Sequence, residues 1–283
     1  MNKFKKIALA AAIASAAMVP VASQAAVVID GVAFNAGDQF IATSIWESVL
    51  TLSTDSLSGV GLVNHIDCNS CGGTTWINGN NDTQLTYQFG GYTVSKWYDT
   101  TGTAHLAGDE GTGLNIFANA KGIDFTGGNI KLWSDKITTG TVLNPSANLG
   151  IATDVANATD GNLWLEYVGV VTTDLLTGRS ATLFSDATGT NNVHSRGFGF
   201  GYLNVVDGLA KSNFDTDSFN ILGVIADAGL ESSFSTTNSG AWPLSGTADI
   251  KTSAIPEPTS LALLGLGLLG VGATYRRKAG KKA

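Results

Sequence analysis

Apolar and polar residues alternate with a period of two in several segments of this chain, at residues 40–50, 85–89, 163–170 and 198–202. Successive side chains of a β-strand point to opposite faces, so this period is typical of strands that bury one face. Turn signals rich in Asn, Asp and Gly, such as residues 78–82 and 160–162, separate the segments. We therefore predict a mainly β fold with antiparallel sheets packed face to face, as in a β-sandwich or jelly roll.

Helical patterns are short and few in this sequence. Residues 146–158 and 224–230 are the two segments for which we predict a short helix. Between the two chain ends lie about 230 residues, a length at which all-β folds often remain single domains. We therefore expect one domain over residues 26–244.

The N-terminus has the features of a secretory signal peptide. Lys3, Lys5 and Lys6 precede an apolar run at residues 7–19. The small residues Ser23 and Ala25 fit the recognition positions of a signal peptidase, which predicts residues 1–25 as the signal and cleavage between Ala25 and Ala26. The alternative, a transmembrane anchor, is disfavoured because the run is shorter than the ~20 residues that span a bilayer.

The C-terminus contains the longest apolar run of the chain. Pro256-Glu257-Pro258 precedes an uncharged segment at residues 259–275, and Arg276 and Arg277 follow it. As a helix, about 17 residues rising 1.5 Å each reach ~25 Å against a ~30 Å hydrocarbon core, so we predict a marginal transmembrane helix. The basic residues would hold its C-terminal end in the cytoplasm.

This combination of Pro-Glu-Pro, a glycine-punctuated apolar run and a terminal Arg-Arg resembles the PEP-CTERM sorting signal of Gram-negative bacteria that make extracellular polysaccharide. The resemblance covers residues 255–283, which follow a polar spacer predicted at 245–254. It implies that an exosortase recognises Pro256-Glu257-Pro258 and removes the tail, so the inner-membrane anchor is a processing intermediate. The alternative is an ordinary tail anchor.

The body between the two ends is strongly acidic. The whole chain has 16 basic and 23 acidic residues, and a net charge of −7. The ends hold eight of the basic residues but only one acidic residue, so the body has a net charge of −14. Nucleic acid is thereby excluded as a partner, because phosphate binding requires clustered Lys and Arg. An acidic surface favours solubility outside the cell, and it can also recruit divalent cations that bridge to other polyanions.

The only two cysteines are Cys68 and Cys71. In an exported protein two thiols this close are readily oxidised, which favours a small structural disulfide. Three alternatives remain open: a redox pair, zinc binding together with His65, and free thiols. The glycines after Cys71 disfavour the helix that a redox Cys-X-X-Cys needs, and zinc lacks a fourth neighbouring ligand.

The sequence contains no recognisable catalytic constellation. The three histidines, His65, His105 and His194, occur in no known catalytic setting. The alternating run at residues 197–201 is typical of a strand rather than of a dinucleotide-binding loop. A glycosidase needs only two suitably placed carboxylates. The least arbitrary candidates are Asp109, Glu110 and Glu166, each of which is also explained by an exposed turn or a solvent-facing strand position.

Two further groups of residues could bind ligands. Asp215 and Asp217 are weak candidates for a calcium site, because they cluster with Asn213 and Asn220 but lack the glycine and distal glutamate of an EF-hand loop. Tryptophan side chains can stack on sugars, although in β folds they more often fill the core. The six are Trp46, Trp76, Trp97, Trp133, Trp164 and Trp242.

Short motifs in the body are similar to those of flocculation-associated PEP-CTERM proteins. They occur at residues 34–40, 46–47, 201–205, 210–216 and 232–234. The resemblance implies a non-enzymatic protein, without a resident cofactor, that holds cells and secreted polysaccharide together in flocs or biofilm. We therefore expect an exosortase-sorted protein of the extracellular matrix or cell surface. The alternatives are a secreted carbohydrate-binding module and a glycan-active enzyme.

Overall fold

The computed structural model describes residues 26–35, 38–48, 56–68, 73–99, 101–107, 120–189, 194–221, 224–236 and 241–252. Strands dominate these residues. They are β1 (Val27–Ile29), β2 (Val32–Phe34), β3 (Asp38–Glu47), β4 (Ser56–Leu62), β5 (His65–Cys68), β6 (Gly73–Ile77), β7 (Thr83–Tyr98), β8 (Ala104–Leu106), β9 (Gly122–Lys136), β10 (Asn162–Val170), β11 (Thr172–Thr173), β12 (Ser180–Ala181), β13 (Leu183–Gly189), β14 (His194–Asp207), β15 (Phe219–Ile221), β16 (Val224–Ala226), β17 (Ala228–Thr236) and β18 (Leu244–Thr252). The described α-helices are α1 (Ile151–Ala158) and α2 (Lys211–Phe214), and short 3-10 turns occur at Asn80–Asp82 and Pro145–Ala147.

Eight of the strands form one antiparallel sheet that closes on itself. The order around the ring is β7, β4, β3, β18, β17, β14, β13 and β9, and β9 pairs back to β7 along most of its length. The sequence predicted two separate sheets packed face to face, so that prediction is wrong in this respect. The physical reason is that β7 pairs with β4 on one side and with β9 on the other, so the backbone groups of the two edges satisfy each other and the sheet closes.

Two positions in the ring are each shared by two strands. Between β9 and β14, β13 fills one end and β10 fills the other. Beside β3, β4 and β5 follow one another in a single continuous register, and β5 then pairs outward with β6. β5 and β10 lie at one end of the closed sheet, and β4 and β13 lie toward the other.

Small residues inside the closed sheet make room for large aromatic rings. Tyr87 on β7 faces Gly61 on β4, and a Cβ atom at Gly61 would lie 2.1 Å from the Tyr87 ring. Such a contact is sterically forbidden, so glycine is required there for Tyr87 to lie flat across the interior. At this point of the interior, the large side chain of one strand thus fills the space that the glycine of its neighbour leaves.

The N-terminal hairpin β1–β2 packs onto the end of the closed sheet that carries β5 and β10. Phe34 of this hairpin is fully buried and lies 4.7 Å from the ring of Phe214 and 5.8 Å from that of Trp164. The indole nitrogen of Trp164 donates a hydrogen bond to the Ile29 carbonyl at 3.0 Å. Helix α2 supplies Phe214, so the hairpin and this helix together close one end of the core.

The strands predicted at residues 85–89, 163–170 and 198–202 are confirmed, and the strand predicted at 40–50 is confirmed as far as Glu47. Residues 49–50 lie outside the described residues. Helix α1 confirms part of the helix predicted at 146–158, but residues 224–230 form β16 and the start of β17. The polar stretch predicted as a spacer contributes residues 245–252 to β18, which pairs with β17 and β3. Its alternating Ser, Thr and Asp residues face outward from a buried strand, which is why the stretch reads as polar.

The predicted transmembrane helix and signal peptide lie outside the described residues, and both remain predictions. Within the described part of the chain, no helix combines the length and the apolar character needed to cross a bilayer.

Candidate functional site

Strand β14 carries a row of aromatic side chains on the outer face of the closed sheet. Residues 197–202 alternate glycine with Phe198, Phe200 and Tyr202. The glycines are buried and point inward, whereas Phe198 is 69% exposed and Phe200 is 41% exposed. Neighbouring exposed aromatic rings are a common feature of interaction surfaces, so this row is the candidate site. We call the outward side chains of β13, β14, β17 and β18 the aromatic face.

A layer of side chains beside the row holds its rings in place. Phe184 on β13 stacks on Phe200, with ring centroids 4.9 Å apart and planes 17° apart. The Arg179 guanidinium lies over the Phe184 ring at 5.5 Å, a favourable cation–π geometry. Arg179 also pairs with the fully buried Asp124 at 2.6 Å. Tyr98 donates a hydrogen bond to the same carboxylate at 2.8 Å. Phe200 therefore rests on a rigid support.

Hydrogen-bonding groups flank the row on the side of β17 and β18. Ser233 lies opposite Phe198 and Glu231 lies opposite Phe200 in the strand register. The Ser233 hydroxyl lies 2.9 Å from that of Thr247, and Glu231 pairs with Lys251 at 2.8 Å. The aromatic face therefore combines flat apolar surfaces with donors and acceptors at their edge, a combination typical of ligand sites.

Asp249 on β18 lies directly opposite Glu231 on this face. Burial raises the pKa of the Asp249 carboxyl, and the charges of Glu231 and Asp67 act in the same direction. Lys251 and His65 oppose this shift of the pKa. The flank is therefore a locally negative surface in which Lys251 supplies a positive charge.

The interior of the closed sheet holds a second polar feature. Glu47 is 4% exposed and lines a cavity of about 40 Å³ together with Tyr87 and Tyr92. Burial alone raises the pKa of Glu47 to about 8, and burial likewise raises the pKa values of both tyrosines. The hydroxyls of Tyr87 and Tyr92 have no hydrogen-bond partner among the described residues. A cavity of this size has room for a few water molecules, which could hydrogen-bond to these groups.

The tryptophans, which are candidates for stacking on sugars, do not lie on the aromatic face. Trp76, Trp97, Trp164 and Trp242 are at most 2% exposed, and Trp46 and Trp133 are half-buried. The burial of the first four confirms that these tryptophans fill the core. Exposed stacking surface comes instead from the phenylalanines of β14.

The histidines are spread over the structure rather than brought together. His65 lies 3.4 Å from Asp67, and His105 lies 3.3 Å from Asp99 while stacking on Trp97 at 4.1 Å. Hydrogen bonds from Thr101 and Thr103 lower the pKa of Asp99 to about 2, which keeps it ionised beside His105. Each of these histidines is thus explained by a local carboxylate. His194 begins β14, and its side chain is outside the described set.

Of the three candidate catalytic carboxylates, Glu166 alone lies in the part of the chain that the structure describes. Glu166 on β10 forms an ion pair with Lys131 at 3.3 Å, which gives it a structural partner. Asp109 and Glu110 lie outside the described residues. The sequence thus did not locate a carboxylate pair, whereas the sheet register places Glu231 opposite Asp249.

The loop proposed for calcium is organised by a different residue. Asp227 is 2% exposed, and one of its oxygens accepts backbone hydrogen bonds from Thr216 at 2.6 Å and Asp217 at 2.7 Å. Asp215 lies 3.9 Å from Lys211. In the part of the chain that the structure describes, no group of three His, Cys, Asp or Glu side chains is arranged to hold a metal ion.

Cys68 ends β5 and is disulfide-bonded. Its predicted partner Cys71 lies outside the described residues, so the pairing with Cys71 stays a prediction.

Comparison with known proteins bears on the C-terminus alone. A family model described as the PEP-CTERM protein-sorting motif matches residues 254–278. The chain therefore carries a PEP-CTERM sorting motif, as the residues around Pro256 and Arg276 predicted, and the motif implies an exported protein with an exosortase as its processing partner. No curated protein and no solved structure matches the chain.

Sequence reasoning missed the exposed phenylalanines, although a signal was present. In residues 197–201 one face of the strand consists of glycines alone, and the other carries Phe198 and Phe200. A strand with such a pattern usually turns its aromatic face to the core. Here the interior beside β14 is occupied by larger side chains such as Phe234, which overlies Gly197, so the phenylalanines face outward.

Proposed function

We propose that this protein is a component of the extracellular polysaccharide matrix, delivered there by exosortase processing, and that it promotes cell aggregation and floc formation. The sorting motif at residues 254–278 supports the route. After signal cleavage before Ala26, the protein passes through an inner-membrane intermediate and then reaches the cell surface or matrix. Processing at Pro256-Glu257-Pro258 releases it from that intermediate.

The body binds polysaccharide through the aromatic face. The observation that carries this proposal is the pair of outward rings, Phe198 and Phe200, beside the hydroxyls and charges of β17 and β18. A pyranose ring has an apolar face of C–H groups and hydroxyls around its edge. Phenyl rings offer the matching flat apolar surface, and Ser233 and Glu231 lie where the hydroxyls would be.

The test is a clean deletion scored for settling of cells in liquid culture. We expect the full-length protein to restore settling, and we expect neither a tail-less version ending at residue 253 nor a Phe198→Ser, Phe200→Ser version to do so. Leu149→Ser is the matched control, because Leu149 is also an exposed apolar residue, 58% accessible, but lies away from the face. If deletion of the gene does not change settling, the proposed matrix function is wrong.

A second function, a glycan-active enzyme, is favoured by one observation. Glu231 and Asp249 are cross-strand partners, which places their Cβ atoms about 5 Å apart. Retaining glycosidases hold their two carboxyl groups about 5 to 5.5 Å apart, a separation that two neighbouring acidic side chains can adopt. Lys251 is already paired with Glu231, and the face is open rather than a cleft, so binding is the better-supported function. New reducing ends that appear with the purified protein and disappear in Glu231→Gln would establish the enzyme instead.

A further inference from the structure

A groove runs along the aromatic face beside the phenylalanine row. It has a volume of about 330 Å³ and lies between strands β14 and β17 and the hairpin β15–β16. Phe200, Tyr202 and Phe219 form its apolar walls, and Glu231 and Lys251 lie at its rim. This volume is within the range of small-molecule sites in proteins.

The groove exists because Phe219 leans against a glycine. A Cβ atom at Gly229 would lie 3.1 Å from the Phe219 ring, closer than ordinary van der Waals contact. The ring centroids of Tyr202 and Phe219 are 6.2 Å apart with planes tilted by 52°. The two rings therefore contact each other at an angle and form one slanted apolar wall of the groove. A side chain at residue 229 would occupy the groove against Phe219.

The rim supplies both donors and acceptors. Glu231 and Lys251 pair at 2.8 Å, yet their side chains remain 63% and 41% exposed. The ammonium of Lys251 has three donors and the carboxylate of Glu231 only acceptors, so each keeps hydrogen-bonding capacity for a ligand. Adjacent hydroxyls of a sugar could be bound by the two groups at once.

The charge around the groove disfavours anionic ligands. The charges of Glu231 and Asp67 both act on the Asp249 carboxyl here, and Lys251 and His65 are the basic groups that act on it in the opposite direction. The body as a whole is also strongly acidic. A carboxylate brought into the groove would meet more negative than positive charge at short range.

We propose that this groove binds one uncharged pyranose residue of a polysaccharide, stacked against Tyr202 and Phe219 and hydrogen-bonded to Glu231 and Lys251. This inference rests on the proposed function, because it names the sugar class that the same face recognises. It selects neutral glycans and excludes uronic acid polymers as the direct ligand.

The test uses the mature protein released by cells and measures its binding to two probes by calorimetry. One probe is a neutral glucan hexasaccharide and the other an oligouronate of equal length. We expect the neutral probe to bind at least tenfold more tightly than the oligouronate. Gly229→Val, which fills the groove, and Lys251→Met, which alters only its exposed rim, should each weaken binding of the neutral probe by about tenfold. Thermal unfolding and Leu149→Ser are the folding and surface controls.

The outcomes separate the two proposals. If glycans bind and Phe198→Ser weakens that binding, but Gly229→Val and Lys251→Met do not, the groove inference is wrong and the proposed function stands. Equal or tighter binding of the oligouronate also overturns the inference. If neither probe binds and settling is unaffected by Phe198→Ser, polysaccharide binding by the aromatic face is itself rejected.

Discussion

Phe184 and Phe200 stack nearly parallel across strands β13 and β14, and the two rings have very different environments. Phe184 is 1% exposed, with the Arg179 guanidinium over its ring, whereas Phe200, which stacks on Phe184, is 41% exposed. The buried ring thus acts as a base for the exposed one. Such an arrangement fixes the orientation of a surface aromatic ring, which lowers the entropy lost when a ligand stacks on it.

The first prediction concerns Phe198, the most exposed ring of the row. We expect Phe198→Ser to weaken polysaccharide binding severalfold while the free energy of unfolding changes by less than ~0.5 kcal/mol, because exposed side chains contribute little to stability. Affinity electrophoresis in gels that contain the cells' own polysaccharide measures the first effect, and urea unfolding measures the second. Unchanged migration of Phe198→Ser would contradict the role of the row.

A second prediction follows from Glu47 in the interior. Burial raises the pKa of Glu47 from 4.5 to about 8, so between these pH values the unfolded state loses the proton and the folded state keeps it. The free energy of unfolding should therefore fall as pH rises through this window, by about 1.4 kcal/mol per pH unit from this group. Below pH ~4.5 its stabilising effect is fully present.

Urea unfolding of the mature protein at pH 5 and pH 8 measures this effect. We expect Glu47→Gln to flatten the dependence, because the amide does not titrate. The matched control is Glu231→Gln, which removes a carboxylate that is 63% exposed and should leave the slope unchanged. Parallel pH profiles for the wild-type protein and Glu47→Gln would show that Glu47 ionises normally.

Local features of the fold could be predicted from the sequence, and long-range ones could not. The strands around residues 163–170 and 198–202 follow from a period of two, which depends only on neighbours in sequence. Closure depends on pairs such as β7 with β9 and β3 with β18, which no local pattern encodes. Residues 245–252 illustrate the same limit, because their polar face suggested a spacer while their inward face completes the sheet.

The functional residues divide in the same way. The sorting motif is a contiguous run, so Pro256 and Arg276 predicted it correctly. The aromatic face requires knowing which side of β14 turns outward, and that is decided by the large interior side chains of other strands. The chemistry of tryptophan makes it a sugar-binding candidate, yet Trp97 is buried on β7 where that strand pairs with β9, and the sequence did not reveal this pairing.

A third prediction tests the ion pair between Arg179 and Asp124, which lies beside Phe184. Arg179 and Asp124 are nearly buried and pair at 2.6 Å, so Arg179→Met leaves a carboxylate without its main counter-charge. Such a change typically costs about 3 to 5 kcal/mol. We expect the double variant Arg179→Met, Asp124→Asn to lose much less stability than Arg179→Met alone.

Denaturant unfolding of the four proteins in this cycle gives the coupling energy. Lys131→Met is the comparison, because Lys131 pairs with Glu166 at a more exposed position and should cost no more than ~1 kcal/mol. Additive effects of the Arg179 and Asp124 substitutions would show that the two side chains do not stabilise each other.

A fourth prediction concerns recognition of the sorting motif. Pro256→Ala with Glu257→Ala should leave uncleaved precursor in the inner membrane, because the exosortase no longer recognises its substrate. Immunoblots of membrane and culture fractions against the body distinguish the two forms by size and location. A shortened product released normally from the double variant would mean that another protease removes the tail.

A last prediction arises from the short distance between the folded body and the sorting motif. Strand β18 ends at Thr252, and Pro256 follows only four residues later, a span of at most ~14 Å. The closed sheet must therefore lie next to the exosortase, or β18 must detach, when the motif is engaged. We expect ten Gly and Ser residues inserted after Thr252 to speed conversion of precursor in a pulse-chase experiment, and deletion of residues 253–254 to slow it.

The same insertion combined with Pro256→Ala and Glu257→Ala should stay uncleaved, which excludes proteolysis of the added linker. Equal rates for the wild-type, lengthened and shortened proteins would show that the body does not hinder the enzyme.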